Sequence, residues 1–229
     1  VKPNIGWNRA PEQAANTDPS VVAAMVGLCL DAGAKDVLVT DHTCNDPVMC
    51  FERSGIRAAA EAAGARVAIP GSGDWVKVDL RGEVIGTWDV LRGVLEADRV
   101  ISLPVAKQHG LAGYTGAMKN MYGVVGGSRG RLHNKLDASI VDMTLWARPV
   151  LSVIDGVRVL MRNGPSGGRL EDVRRRDTVI ASVDPVAADA LGCTLIDRTT
   201  DDVPHIILAS TRELGILSPE AELISEVVL

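Results

Sequence analysis

Hydrophobic residues gather in short runs separated by polar punctuation, and the punctuation divides the chain into alternating helical and extended stretches. Asp18-Pro19 predicts a helix start, a capping side chain followed by a ring whose fixed φ suits the first helical position, and Gly33 predicts its end. The apolar run within Lys35–Asp41 is then a strand. A second helix is expected from about Asp46-Pro47 to Ala63, closed by Gly64, with the next strand at Arg66–Ile69. With an extended start at Val1–Asn4 this is a βαβαβ unit, which favours a parallel sheet with right-handed crossovers. Ligands bind such sheets beyond the carboxyl ends of the strands, where Asp41 and His42 fall.

From Trp75 to Trp88 apolar and polar residues alternate around Leu80-Arg-Gly-Glu83, which reads as a β-hairpin inserted into the sheet. Asp98–Pro104 is expected to return as a strand that delivers a loop around His109. A helix over about Lys135–Ala147, a strand at Leu151–Asp155 and a loop at Arg162–Gly168 follow. That loop is either an anion-holding turn with free amides or a plain surface turn. Val179–Asp184 predicts a last strand, and Asp184-Pro185 another helix start. Asp184 is read first as an N-cap, with a polar ligand at a strand end as the alternative, and Asp189 lies about one turn later. The fold expected is a Rossmann-like open, mostly parallel α/β sheet with helices on both faces, forming one domain over residues 1–229. Because the sequence opens at Val1 apparently inside a strand, an original N-terminal segment is expected to be missing.

Composition narrows the use of this fold. Hydrophobic residues make up 46% but aromatics only 3%, so the core must be built from Val, Ile, Leu and Ala, as in parallel sheets covered on both faces. Base stacking is disfavoured, and a net charge of −5 argues against nucleic acid. Arg174-Arg175-Arg176 is read as a solvated cluster among Glu171, Asp172 and Asp177. No apolar window is long enough for a membrane span. The location is left open between cytoplasmic and exported with the signal removed. Cys29, Cys44, Cys50 and Cys193 form neither a disulfide framework nor a CxxC metal pair, and Cys29 and Cys193 are read as core thiols.

The richest chemistry lies in His109-Gly-Leu-Ala-Gly-Tyr-Thr-Gly-Ala-Met-Lys119, followed by Asn120 and His133. Two imidazoles and an amine surround a turn freed by glycines, Gly116 among them. Residue types alone are equally those of a surface loop with a solvated lysine. Tyr114 either packs over the loop or bonds a ligand, Asn120 either orients a ligand or bonds its own helix end, and His205 is read as structural.

Through Lys2-Pro-Asn4, Gly33–Asp41, Met118–Gly123, Val153–Gly156, Gly164–Gly168 and Asp184–Asp189 the chain resembles the family called domain of unknown function 362. Some members of that family carry ferredoxin-like cysteine clusters, and many are exported. No ferredoxin-type cluster occurs here, since Cys44 and Cys50 lack the spacing of a four-iron site. A second resemblance is to the lactate racemase family, which uses a nickel-pincer nucleotide. His109-x-x-Ala-Gly-Tyr-Thr-Gly-x-x-Lys119 is similar to that family's His-to-Lys segment, His133 follows where a nickel ligand is expected, and Val37–His42 resembles the strand ending in another catalytic histidine. The resemblance implies cofactor attachment at Lys119 with Tyr114, Asn120 and Gly116 nearby, nickel or another metal at His133, and proton exchange by His42 and His109 with the hydroxyl of a small hydroxy acid. The family's Asp-x-Thr-Arg-Pro segment has no equivalent arginine near Lys2-Pro-Asn4, Asp41-His42 replaces its Gly-x-His, and most of its second domain is missing, so a homo-oligomer is one way to complete a site. The alternative is a non-catalytic, iron-sulfur-associated binding or electron-transfer module.

Overall fold

A computed structural model describes residues 1–218 and residue 225. Its strands are β1 (Lys2–Pro3), β2 (Leu38–Thr40), β3 (Arg66–Ala68), β4 (Trp75–Asp79), β5 (Thr87–Leu91), β6 (Ile101–Leu103), β7 (Val105–His109), β8 (Gly113–Thr115), β9 (Leu151–Leu160) and β10 (Val173–Ser182). Its helices are α1 (Pro19–Asp31), α2 (Pro47–Arg53), α3 (Ile56–Ala62), α4 (Arg92–Leu95), α5 (Ala117–Asn120), α6 (Leu136–Ala147), α7 (Pro185–Gly192) and α8 (Pro204–Thr211).

The long strand β9 is the spine of the main sheet. β10 pairs antiparallel along one edge, while β6 and then β7 run parallel along the other. Outside these, β1 pairs parallel with β6 and β8 pairs antiparallel with β7. The parallel pair β2–β3 continues the order beyond β1, where the Val1 nitrogen donates to Leu38 O at 2.8 Å. The result is a mostly parallel α/β sheet with a separate β4–β5 hairpin, as the sequence pattern indicates.

Helix starts are written locally. Asp18, Asp46 and Asp184 each accept a backbone N–H from the first turn of α1, α2 and α7, and each is followed by proline. Asp184, the N-cap, accepts from Val186 N at 2.8 Å and Ala187 N at 3.0 Å. α1, α2 and α3 cover one face around Val26, Phe51, Ile56 and Val153, and α5 to α8 cover the other around Met118, Ile140, Ile154 and Val186. Phe51, the chain's one phenylalanine, has no exposed surface, and truncating it to alanine would cost about 3–5 kcal/mol.

Four expectations need correction. The helix expected over 46–63 is two helices, because Gly55 adopts φ +71° and breaks the run after Ser54. The region around His109 is an antiparallel hairpin, β7–β8, since Pro104 interrupts the strand and Val105–His109 pairs anew with β9. The last strand starts earlier, at Val173, so Arg174, Arg175 and Arg176 lie on an antiparallel strand and pair with Asp177 and Asp197. Cys29 is half-buried, whereas Cys193 is buried as expected. Among the described residues no helix is long and apolar enough to cross a membrane.

Candidate functional site

A cavity of about 360 Å³ opens beyond the carboxyl ends of β1 and β2. Its floor is a polar knot. The Lys2 ammonium donates to Asp41 Oδ1 at 2.7 Å, Asn120 Oδ1 at 2.7 Å and Pro3 O at 2.9 Å. Asp41 accepts in addition from Ile5 N at 2.6 Å and His42 N at 2.9 Å. Asn120 returns its amide to Lys2 O at 2.9 Å and Ser102 Oγ at 3.1 Å. Both ends of Asn120 are therefore occupied by the fold. Burial pulls the Lys2 amine below its ordinary range, and Asp41 beside it opposes that pull. Each partner of this pair depends on the other, because a lone charge left there would be strongly destabilising.

The walls come from three other places. β7 turns Lys107 and His109 to the cavity, two residues apart as strand alternation requires, and β8 adds Thr115, the cross-strand partner of Lys107. α5 and the turn after it supply Lys119 and Tyr122, and the 3-10 segment Arg129–Lys135 supplies Arg129 and His133. Trp7, Leu111 and Pro165 stand nearer the solvent.

Cations dominate this lining. Asp41 is the lone carboxylate bordering the cavity among the described residues, and Lys2 already holds it. Lys107 donates to Asn4 Oδ1 at 2.8 Å and Ala15 O at 2.6 Å, and desolvation lowers its amine to about 7. Lys119 has no hydrogen-bond or carboxylate partner among the described residues. Its Nζ lies 3.6 Å over the Tyr122 ring, a cation–π contact, while burial and the nearby Arg129 charge bring it down to about 7. Arg129 clamps the adjoining loop, donating to His42 O at 2.9 Å, Thr43 O at 2.9 Å and Cys44 Sγ at 3.1 Å.

The backbone fixes the imidazole tautomers. His42 Nδ1 lies 2.7 Å from Val125 O, and a carbonyl only accepts, so Nδ1 carries the proton and Nε2 keeps a lone pair. His109 is the reverse: its Nδ1 accepts from Leu111 N at 3.1 Å and Ala112 N at 3.2 Å, which leaves the proton on Nε2. Burial, joined by Lys119 and Lys107, depresses His109 to about 3, and burial with Arg129 lowers His42 as well. His133 bonds Gly130 O through Nδ1 at 3.1 Å, packs edge-on to Tyr122 at 5.2 Å and is also lowered by desolvation.

His42, His109, Lys119, Asn120 and His133, named from sequence, thus border one cavity. Tyr114 and Gly116 do not. Tyr114 is fully buried on the opposite side of β8, and a Cβ on Gly116 would run into the Tyr114 hydroxyl and Asp189. Asp189 accepts from Ala117 N at 2.6 Å and Met118 N at 3.0 Å, so it anchors the start of α5. His205 is buried and away from the cavity, and the Arg162–Gly168 loop contributes Pro165 while Gly164 N donates to Gln108 Oε1 at 2.7 Å. Lys107, Thr115, Tyr122 and Arg129 escaped the sequence reading; for Lys107 the signal was its two-residue spacing from His109. Of the cysteines only Cys44 borders the cavity, and among the described residues no group of three or more His, Cys, Asp or Glu side chains could hold a metal ion.

Comparison with known proteins adds three findings. The family model described as "Domain of unknown function (DUF362)" matches residues 1–194. The thylakoid-associated protein sll1697 of Synechocystis sp. is 26% identical over 238 residues, covering 97% of this chain and 70% of that protein. The lactate racemase apoprotein from Thermoanaerobacterium thermosaccharolyticum superposes with a TM-score of 0.46 at 12% identity, over 77% of this chain and 45% of its own. The chain therefore spans less than half the length of that structure.

Proposed function

The chain belongs to the DUF362 family, and we propose that its cavity binds a small 2-hydroxy acid and moves a proton on and off the hydroxyl in a racemase- or epimerase-like reaction. One observation carries this reading. The backbone holds His42 and His109 in opposite tautomers at one cavity, a lone pair on the first and an N–H on the second. His42 Nε2 can take the proton of a hydroxyl and, as the imidazolium so formed, give it back, while the His109 N–H holds the same oxygen by a hydrogen bond; both rings start uncharged near neutrality. The cationic lining supports an anionic ligand.

Inversion at carbon also needs a two-electron acceptor, and the sequence resemblance implies a nickel-pincer nucleotide. A metal held by protein donors alone does not fit the described residues, which present no three-donor group. A group attached through a side chain does fit: Lys119 offers a partnerless amine held near 7, and His133 an Nε2 lone pair. Those two residues would hold it, and when bound it would supply reversible two-electron acceptance at the substrate carbon. His42 would then carry the hydroxyl proton, His109 would hold the oxygen by its N–H, and Lys107 would face the anionic end.

The test uses protein from its native host and single enantiomers of small 2-hydroxy acids, resolved by chiral chromatography. Interconversion by the wild type, lost in His42→Asn and His109→Asn and in Lys119→Ala, is expected. A wild type that converts no 2-hydroxy acid and whose ligand affinities ignore all three substitutions would sink the proposal.

A further inference from the structure

The β4–β5 hairpin lies apart from the main sheet, yet its contacts gather on one short segment, Val125–Gly126. Val90 of β5 forms a β-bridge with Val125, and neither valine has exposed surface. Asp89 O accepts from Gly126 N at 2.9 Å and Trp88 Nε1 donates to Gly126 O at 2.9 Å, so β5 holds both backbone groups of that glycine. Trp75 of β4 leans on the same residue: a Cβ on Gly126 would lie 2.5 Å from the indole Cε3.

The stretch that the hairpin grips is the one that holds His42. Val125 O takes the Nδ1 proton at 2.7 Å, His42 N donates to Gly123 O at 3.1 Å, and Arg129 donates to His42 O at 2.9 Å. Trp75 also meets the imidazole itself, with ring centroids 4.7 Å apart and planes at 61°, an edge-to-face contact. One indole therefore touches both the ring and the glycine next to the carbonyl that fixes the ring's tautomer. A neutral imidazole has two tautomers, and only the one with its proton on Nδ1 leaves Nε2 free to accept another.

We propose that the β4–β5 hairpin is a brace for His42 and that Trp75 is its positioning residue, pressing the ring against Val125 O so that Nε2 keeps its lone pair for the ligand's hydroxyl. The use of that lone pair rests on the hydroxy-acid reading above; the brace itself rests on the contacts of Trp75 with His42 and Gly126. Trp75 acts through the histidine and touches no ligand in this role.

Trp75→Leu removes the ring edge, Gly126→Ala drives a methyl group into the indole, and Trp75→Phe keeps an aromatic edge. The ring nitrogens of His42 are followed by NMR in all three and in the wild type, with interconversion of 2-hydroxy acids assayed alongside. His42 should carry its proton on Nδ1 alone in the wild type and in Trp75→Phe, and should average over both nitrogens in Trp75→Leu and Gly126→Ala. Those two variants should lose about 10- to 100-fold in kcat, the scale of a group displaced by about 1 Å, with KM close to the wild-type value. His109, whose tautomer is set by its own turn, should keep its Nε2 proton throughout and so report an intact fold. Leucine and alanine variants whose His42 stays protonated on Nδ1 alone overturn the brace, as does a phenylalanine variant as damaged as the leucine one. Loss of the His109 signature in both damaging variants overturns it too, since the hairpin then supports the fold at large and not one ring. Mixed His42 tautomers with an unchanged kcat overturn the positioning role. If the tautomers mix as expected but the wild type interconverts no 2-hydroxy acid, the brace stands and the hydroxy-acid reading falls.

Discussion

Lys119→Met should make the folded chain more stable and its cavity useless. The amine is buried without a partner among the described residues, and burial lowers it from 10.5 to about 7. At about 1.4 kcal/mol per pH unit that drop corresponds to about 5 kcal/mol of unfavourable charge burial. The unfolded chain keeps its lysine protonated up to about 10.5, so between pH 7 and 10.5 it binds more protons than the folded chain, and wild-type stability rises with pH across that window. Below pH 7 both states are protonated and the full cost is present; above 10.5 it is gone. Methionine has nearly the same length and carries no charge. The variant should therefore exceed the wild type by about 2–5 kcal/mol at pH 6, and the gap should close steadily towards pH 10. Urea unfolding at pH 6, 8 and 10 measures it. A gap that ignores pH, or a methionine variant that is the weaker protein at pH 6, would refute the reasoning that Lys119 is an uncompensated buried amine.

Anion affinity should follow the same amines from the other side. Lys107 and Lys119 gain their protons as pH falls through about 7, so lactate or acetate should bind more tightly at pH 6 than at pH 8.5, and a flat NMR titration series would count against their role. Gly123→Ala should break the cavity floor, because the new Cβ would sit against Asp41 Oδ1 and 2.6 Å from the Lys2 amine. Disrupting a buried ion pair costs about 3–5 kcal/mol, visible as an early urea midpoint, and an unchanged midpoint would show that the floor yields.

Much of the architecture was legible because it is written locally. Asp18-Pro19, Asp46-Pro47 and Asp184-Pro185 each announce a helix in two residues, and the structure uses each aspartate as a cap. What depends on pairing was not legible. The glycines between His109 and Gly116 read as a loop, yet Gly113, at φ +72°, lets the chain fold back as β8, where any Cβ would lie 2.6 Å from Asp202 O. Once that hairpin exists, alternation decides which face each residue takes: Thr115 turns to the cavity and Tyr114 away from it. Without the register, the tyrosine beside the histidine run was the natural candidate, and Tyr122, on a different element, was passed over. Asn120 was read as orienting a ligand or bonding its own helix end; it borders the cavity, and its amide bonds Lys2 O and Ser102 Oγ, on strands far away in sequence.

That distance has a consequence for how the chain is made. Lys2 pairs with Ser102, and its amine reaches Asn120 across 118 residues, whereas β7 and β8 meet within a few residues of each other. At about 5–20 residues per second of synthesis, roughly 5–20 s separate the emergence of Lys2 from that of Ser102. Through that interval β1 can meet β2 but not its partner β6, whereas the hairpin, which follows β6, can close within a few residues of emerging. The His109 wall is thus built on a short-range hairpin and the floor on the long-range contacts that set slow folding.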